Sequence, residues 1–142
     1  MTAVTTPVGT VKVVAVLLEG DRKVRGIVQG FSPRRDRCTI FPADHQPGQK
    51  GTDVKLDDLK VIYFVKEFAN EAVHNQTHNV EFVGPTHGRK MEVTFIDGHK
   101  LVGTTEGYSP NRIGFFMNPP DPGGNNHRIF IVNSSVGSVR WL

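Results

Sequence analysis

Residues 93–121, VTFIDGHKLVGTTEGYSPNRIGFFMNPPD, have a counterpart earlier in the same chain. Moved back by 77 positions without a gap, they fall on residues 16–44, VLLEGDRKVRGIVQGFSPRRDRCTIFPAD. Gly103, Gly107, Tyr108 and Ser109 land on Gly26, Gly30, Phe31 and Ser32. Pro110, Arg112, Pro119 and Asp121 land on Pro33, Arg35, Pro42 and Asp44. An internal repeat of this kind decides the architecture before any local signal does. It divides the chain into two units of about 55–60 residues, a size at which a domain buries only ~60% of its surface and is marginal alone. The two copies are therefore expected to pack on each other or on another chain.

Around the repeat, the local signals are those of strands. Val11 to Leu18 is an apolar, valine-rich run that reads as a buried strand, and Glu19-Gly20-Asp21 is its turn. Lys23 to Gln29 follows, with Val24, Gly26 and Val28 on one face. Gly30 marks a bend, and Ser32-Pro33 opens a turn, because proline fixes φ and serine can bond its own backbone. Cys38 to Phe41, Asp53 to Leu56 and Val61 to Val65 complete five strands. In the second copy Met91, Val93 and Phe95 alternate with polar residues, and Asp97-Gly98 predicts a type I′ hairpin. Lys100 to Glu106, Phe115 to Asn118, Arg128 to Asn133 and Val136 to Leu142 follow as strands. No segment has a sustained helical period. The expected layout is a disordered leader over 1–10, a first unit over 11–65, a linker over 66–88 and a second unit over 89–142.

Five short strands per copy, a DG hairpin, a glycine bend after strand two and a short final pair resemble the Sm-like small β-barrel. The likeness runs from VTFIDGHKLVGTTEGY to IFIVNSSVGSVRWL. It implies an all-β fold of two tandem Sm-like five-stranded barrels, packed as a pseudo-dimer through sheet edges that must be covered. The run GYSPNRIGFF…PPDP…RIFIV is also similar to an uncharacterised bacterial domain with a GYSPxRxGFF core, found beside signalling and type IV pilus modules. That resemblance implies a bacterial binding or adaptor module and carries no established activity. The Sm-type RNA pocket would need an Asp-x-x-x-Asn loop after strand two and an Arg-Gly pair entering strand five. Ser109 and Ser32 stand where the Asp belongs, and Val132-Asn133 and Lys55-Leu56 stand at the Arg-Gly positions.

The composition allows several partners. Net charge is +3 with a pI near 9.2, which permits nucleic acid without requiring it. Up to Glu71 there are 11 basic and 9 acidic residues, and after it 6 and 5, so neither half is strongly basic. Cys38 is the only cysteine, which rules out an intramolecular disulfide, fits a reducing cytoplasm and reads as a small core residue. The opening residues lack a signal-peptide pattern, and the longest apolar run falls far short of the ~20 residues of a membrane helix. No membrane contact is expected.

The candidate ligand-binding residues are arginines beside rigid turns, which suit phosphate or carboxylate held by two nitrogens. Arg34, Arg35 and Arg37 follow the first Ser-Pro, and Ser109 and Arg112 frame the second. Arg22 and Arg25 lie one strand earlier and could enlarge the patch. Asn125, Asn126 and Arg128 border a Gly-rich loop able to cradle an anion through backbone N–H groups. The competing structural reading has Arg35 and Arg112 bonding loop carbonyls, Asp44 and Asp121 bonding loop backbone, and the aromatics filling the core. His74 and His78 are spaced by four but lack the further ligands of a zinc site. Ser134-Ser135 has no GxSxG frame. Asn133-Ser134-Ser135-Val136-Gly137 is one residue short of the [DN]xSxxG motif that PilZ barrels pair with RxxxR. The expectation is a non-enzymatic module with no cofactor or metal, engaging a protein partner through its Arg-rich SPxR turns. Single-stranded RNA or a cyclic dinucleotide is the alternative ligand, and homo-oligomers could form through sheet edges.

Overall fold

The computed structural model describes residues 10–29, 31–42, 50–68, 88–121 and 123–142. Gly30, Asp44, His74, His78, nearly all of the expected leader and most of the expected linker lie outside the described residues. The described residues form ten strands. The first half contributes β1 (Thr10–Leu17), β2 (Lys23–Gln29), β3 (Arg37–Phe41), β4 (Thr52–Lys55) and β5 (Leu59–Val65). The second contributes β6 (Arg89–Phe95), β7 (Lys100–Thr105), β8 (Gly114–Met117), β9 (Asn126–Val132) and β10 (Val136–Trp141). Among the described residues the only helical pieces are short 3₁₀ turns at Glu19–Asp21, Leu56–Asp58 and Asn133–Ser135.

The chain is all-β, built as two antiparallel sheets that do not close into separate barrels. Seven strands run in the order β4-β3-β2-β1-β5-β9-β8, and three in the order β10-β6-β7. A single bridge, Thr104 to Asn118, connects β7 to β8. Each half thus has one spatial order, with strand five beside strand one and strands two, three and four following. The 77-residue spacing is kept in the backbone bonds. Leu56 N–H donates to Asp36 O at 2.8 Å, and Asn133 N–H to Ile113 O at 2.9 Å.

The expectation of two side-by-side barrels omitted how far the halves share their sheets. β5 of the first half pairs with β9 of the second, Val61 opposite Ile131 and Tyr63 opposite Ile129, so one sheet runs through the repeat boundary. The hydrophobic cores cross it too. Val14, Val16, Val61 and Tyr63 pack with Met91, Val93, Phe95, Phe115 and Met117 between the two sheets. On the other face Phe130 and Val132 complete a cluster otherwise built by the first half from Val13, Ala15, Val28, Ile40 and Ile62. Successive residues of β1, β5 and β9 enter opposite cores, as a period of two requires. This is why these strands read as almost unbroken apolar runs.

Two glycines fix the close crossing of strands two and three. A Cβ on Gly26 would overlap the carbonyl oxygen of Phe41, and one on Gly103 that of Asn118, well inside van der Waals contact. The Asp97-Gly98 hairpin forms with a different turn from the one expected. Gly98 N–H donates to Phe95 O and Phe95 N–H to His99 O, both at 2.8 Å, and Gly98 has φ of 90°. The loop is Ile96-Asp97-Gly98, a three-residue turn with its left-handed residue last. One link across the halves had no signature in the sequence. Lys60 of β5 is fully buried, with Nζ 2.5 Å from Asp97 Oδ2 and 5.4 Å from the Phe95 ring centre.

Candidate functional site

Shared packing brings the two Ser-Pro turns to one place. Phe31, at the start of the first turn, packs edge-on against Phe130 at 5.1 Å and Phe116 at 6.2 Å, both from the second half. Phe64 of β5 lies beside the same rings, 5.5 Å from Phe31 and 6.0 Å from Phe116. Such aromatic contacts add about 0.5–1.5 kcal/mol each beyond the area they bury. They hold the first-half turn on the second half.

Phe116 of this group also borders an open cleft of about 560 Å³. Pro33 and Arg34 reach it from the first turn, Ser109 and Arg112 from the second, and Arg128 from β9. Tyr108, Phe115 and Phe116 supply its apolar wall, and Glu106 is its one carboxylate. The Arg128 guanidinium lies flat on Phe116, 3.6 Å from the ring centre. Partial burial lowers its pKa from the ordinary arginine value. It stays charged at any physiological pH, so desolvation increases what an incoming anion would gain there. Among the described residues, Arg34, Arg112 and Arg128 take part in no ion pair. Among the described residues the cleft therefore sets three guanidinium groups without an ion pair, that of Arg128 stacked on Phe116, against one carboxylate.

The turns are held by other means than their arginines. Arg35 N–H donates to Ser32 O and Arg112 N–H to Ser109 O, each at 3.3 Å. Ser32 Oγ accepts the N–H of Arg34 at 3.3 Å, the local bond expected of a Ser-Pro turn. In the second half Asn133 Nδ2 donates to Ser109 O at 2.8 Å and Arg112 O at 2.9 Å. The carbonyl-capping role weighed for Arg112 thus belongs to Asn133, leaving the guanidinium for other work. Its repeat partner Leu56 is a fully buried core residue, so the alignment alone gave no hint of this role.

The remaining candidates fall in different places. Arg35 and Arg37 line a second cleft, also bordered by Arg34. Arg22 caps the Glu19–Asp21 turn and Arg25 lies on β2 opposite Val14, and neither borders either cleft. Asn125 ties the chain to itself, accepting Glu67 N–H at 3.0 Å and donating to Glu67 O at 2.8 Å. Asn126 begins β9 opposite Val65. Asp121 Oδ1 accepts Gly123 N–H at 2.9 Å, the loop-bonding role expected of it. Most aromatics fill the cores, but Trp141 is 38% exposed, with the Arg89 guanidinium 4.0 Å from its ring centre.

Cys38 packs against the first-half cluster, and burial, with Asp53 adding to it, pushes its thiol up to about 11. A thiol so held stays protonated at neutral pH and is a poor nucleophile. Among the described residues no group of three His, Cys, Asp or Glu side chains could hold a metal ion, and no helix is long and apolar enough to cross a membrane.

Comparison with known proteins places the chain by family alone. No curated protein and no solved structure matches it. Over residues 9–142 the chain matches DUF6982, a family of unknown function, and it belongs to that family.

Proposed function

We propose that this protein is a non-catalytic binding module, an adaptor that receives an anionic segment of a partner protein in the cleft between its two Ser-Pro turns. The observation that carries the reading is the meeting of Arg34, Arg112 and Arg128, from three separate segments, around one cleft with no ion-pair partner among the described residues. Guanidinium groups presented from rigid turns match carboxylates in a bidentate way. The similarity to the GYSPxRxGFF domain supports a bacterial signalling or surface-motility setting, and the single cysteine, Cys38, fits a reducing cytoplasm. We read the two halves as Sm-like units fused edge to edge, because both keep one strand order and the same backbone bonds 77 residues apart.

The rings argue against a nucleotide ligand. Tyr108 is packed edge-on by Phe115 at 5.0 Å and Trp141 at 5.7 Å. Phe116 is covered by Arg128 and flanked by three other rings. Base recognition by stacking needs an uncovered ring face.

The test is fluorescence anisotropy of labelled dodecaglutamate and labelled dodecauridylate, each at low and moderate salt. Arg112→Ala is compared with Arg22→Ala, which removes the same charge outside the cleft. The reading predicts dodecaglutamate binding that weakens with salt, falls about tenfold in Arg112→Ala and is unchanged in Arg22→Ala. Equal losses in both variants would reduce the effect to net charge. Binding of the RNA alone would move the assignment to the nucleotide class.

A further inference from the structure

We propose that the chain carries this anion site twice, and that one acidic polypeptide segment occupies both copies together. The inference rests on the reading of the first cleft as an anion site and adds a second site to it. On the other side of the Ser32–Arg37 turn lies a cleft of about 430 Å³. Phe31, Ser32 and Arg35 line it, and 77 positions on they become Tyr108, Ser109 and Arg112, which line the first cleft. The same backbone bond closes both turns at the same 3.3 Å. Each cleft is completed from the other half, the first by Arg34 and the second by Ile113. These are one site in two copies, and they adjoin, because Arg34 lines both.

The copies differ in their walls. Where the second half has Phe115 and Phe116, the first has Cys38 and Thr39, so the second cleft is less apolar than the first, though Val28, Phe31 and Ile113 still line it. It adds Arg35 and Arg37 to Arg34, with Asp36 and Asp53 as its acids. Asp53 Oδ1 is engaged by the Thr39 hydroxyl at 2.5 Å. Together the two clefts are lined by five guanidinium groups and three carboxylates. A polyphosphate, charged at every repeat, would set phosphates against those carboxylates. A polypeptide places its acids at intervals and can pass neutral or basic residues across Glu106, Asp36 and Asp53. Linking two weak sites through one chain raises affinity by effective concentration.

The experiment is titration of a twelve-residue peptide of alternating Glu and Gly, whose acids are spaced along the chain, into the full chain, with stoichiometry from calorimetry and affinity from anisotropy. Arg35→Ala, Arg112→Ala, Arg34→Ala and the Arg35→Ala/Arg112→Ala pair are measured, with Arg22→Ala as control and dodecauridylate as second probe. These arginines are exposed, and an unchanged urea midpoint shows that each variant folds. One peptide should bind per chain. Arg35→Ala and Arg112→Ala should each weaken it about five- to tenfold, and the pair should weaken it further. An Arg35→Ala variant within twofold of wild type overturns the second site, while loss in Arg112→Ala alone leaves the first standing. Two peptides per chain overturn the single-segment assignment. Dodecauridylate binding at least tenfold tighter, with the same pattern of losses, overturns the polypeptide assignment. An Arg112→Ala variant that behaves like Arg22→Ala removes both proposals.

Discussion

Strands four and five of the two halves hold equivalent places and have opposite surroundings. In the first half strand five, LKVIYFV, is buried along almost its whole length, whereas its counterpart VGSVRW forms an outer edge. For strand four the assignment is reversed: IFIV of the second half is buried and TDVK of the first is an exposed edge. The apolar pair meets at the seam, β5 on β9, and the polar pair faces outward. The outer strands carry Asp53, Lys55 and Arg140, side chains of the kind that discourage further edge pairing. The same topology thus serves as glue at one edge and as a boundary at the other, and side-chain choice alone makes the difference.

Breaking the seam should have the largest effect. Phe130→Ala removes a fully buried ring at the seam and should cost about 3–5 kcal/mol in urea unfolding. Its repeat partner Asp53, changed to Ala, should cost less than about 1 kcal/mol, since only an exposed hydrogen bond to Thr39 is lost. Similar costs at the two positions would show that the seam is no more important than the edge. Next come the glycines. Gly26→Ala should cost about 3 kcal/mol, because the new methyl meets a backbone carbonyl that cannot easily move. Gly137→Ala on the outer edge, where the new methyl would come no nearer than 3.3 Å to Thr94 O, should cost under about 1 kcal/mol.

A smaller effect separates the two turns. Asn133→Ala frees the carbonyls of Ser109 and Arg112 and should cost about 1–2 kcal/mol. It should weaken anion binding in the second-half cleft and leave the first-half cleft, whose equivalent residue is Leu56, as it was. A separate check titrates Cys38, which packs against the first-half cluster. With the thiol at about 11, thiol-reagent labelling at pH 8 should be about a hundredfold slower than for free cysteine, and should speed up towards pH 11. The folded state binds this proton more tightly than the unfolded chain, so stability should decline as pH rises from about 8.5 towards 11.

The repeat made the strand pattern legible. Gly26 and Gly103 mark the tight crossings in both halves, and the near-continuous apolar run of β1 already indicated burial on two faces. The sharing of cores was less readable, since nothing in IFIV says that Phe130 and Val132 serve the other half's cluster. Lys60 was opaque for the same reason, because a lysine in a strand normally marks its solvent face and its partner Asp97 comes from the distant hairpin. At the site, Arg34, Arg35, Arg37, Ser109, Arg112 and Arg128 were findable as cations and polar groups beside rigid turns. Arg22, Arg25, Asn125 and Asn126 share that chemistry but lie where the fold does not bring them to the clefts. Sequence spacing along a strand gives a face, and only the register across the seam tells which faces meet.

The most direct measurement is amide hydrogen exchange of the full chain with and without a saturating twelve-residue peptide of alternating Glu and Gly. The account predicts added protection over 31–37 and 106–116, the two turns and their flanks, with β4 and β10 unchanged. Protection concentrated in β4 and β10 instead, with the turns unaffected, would mean that the outer edges are the binding surface and would contradict it.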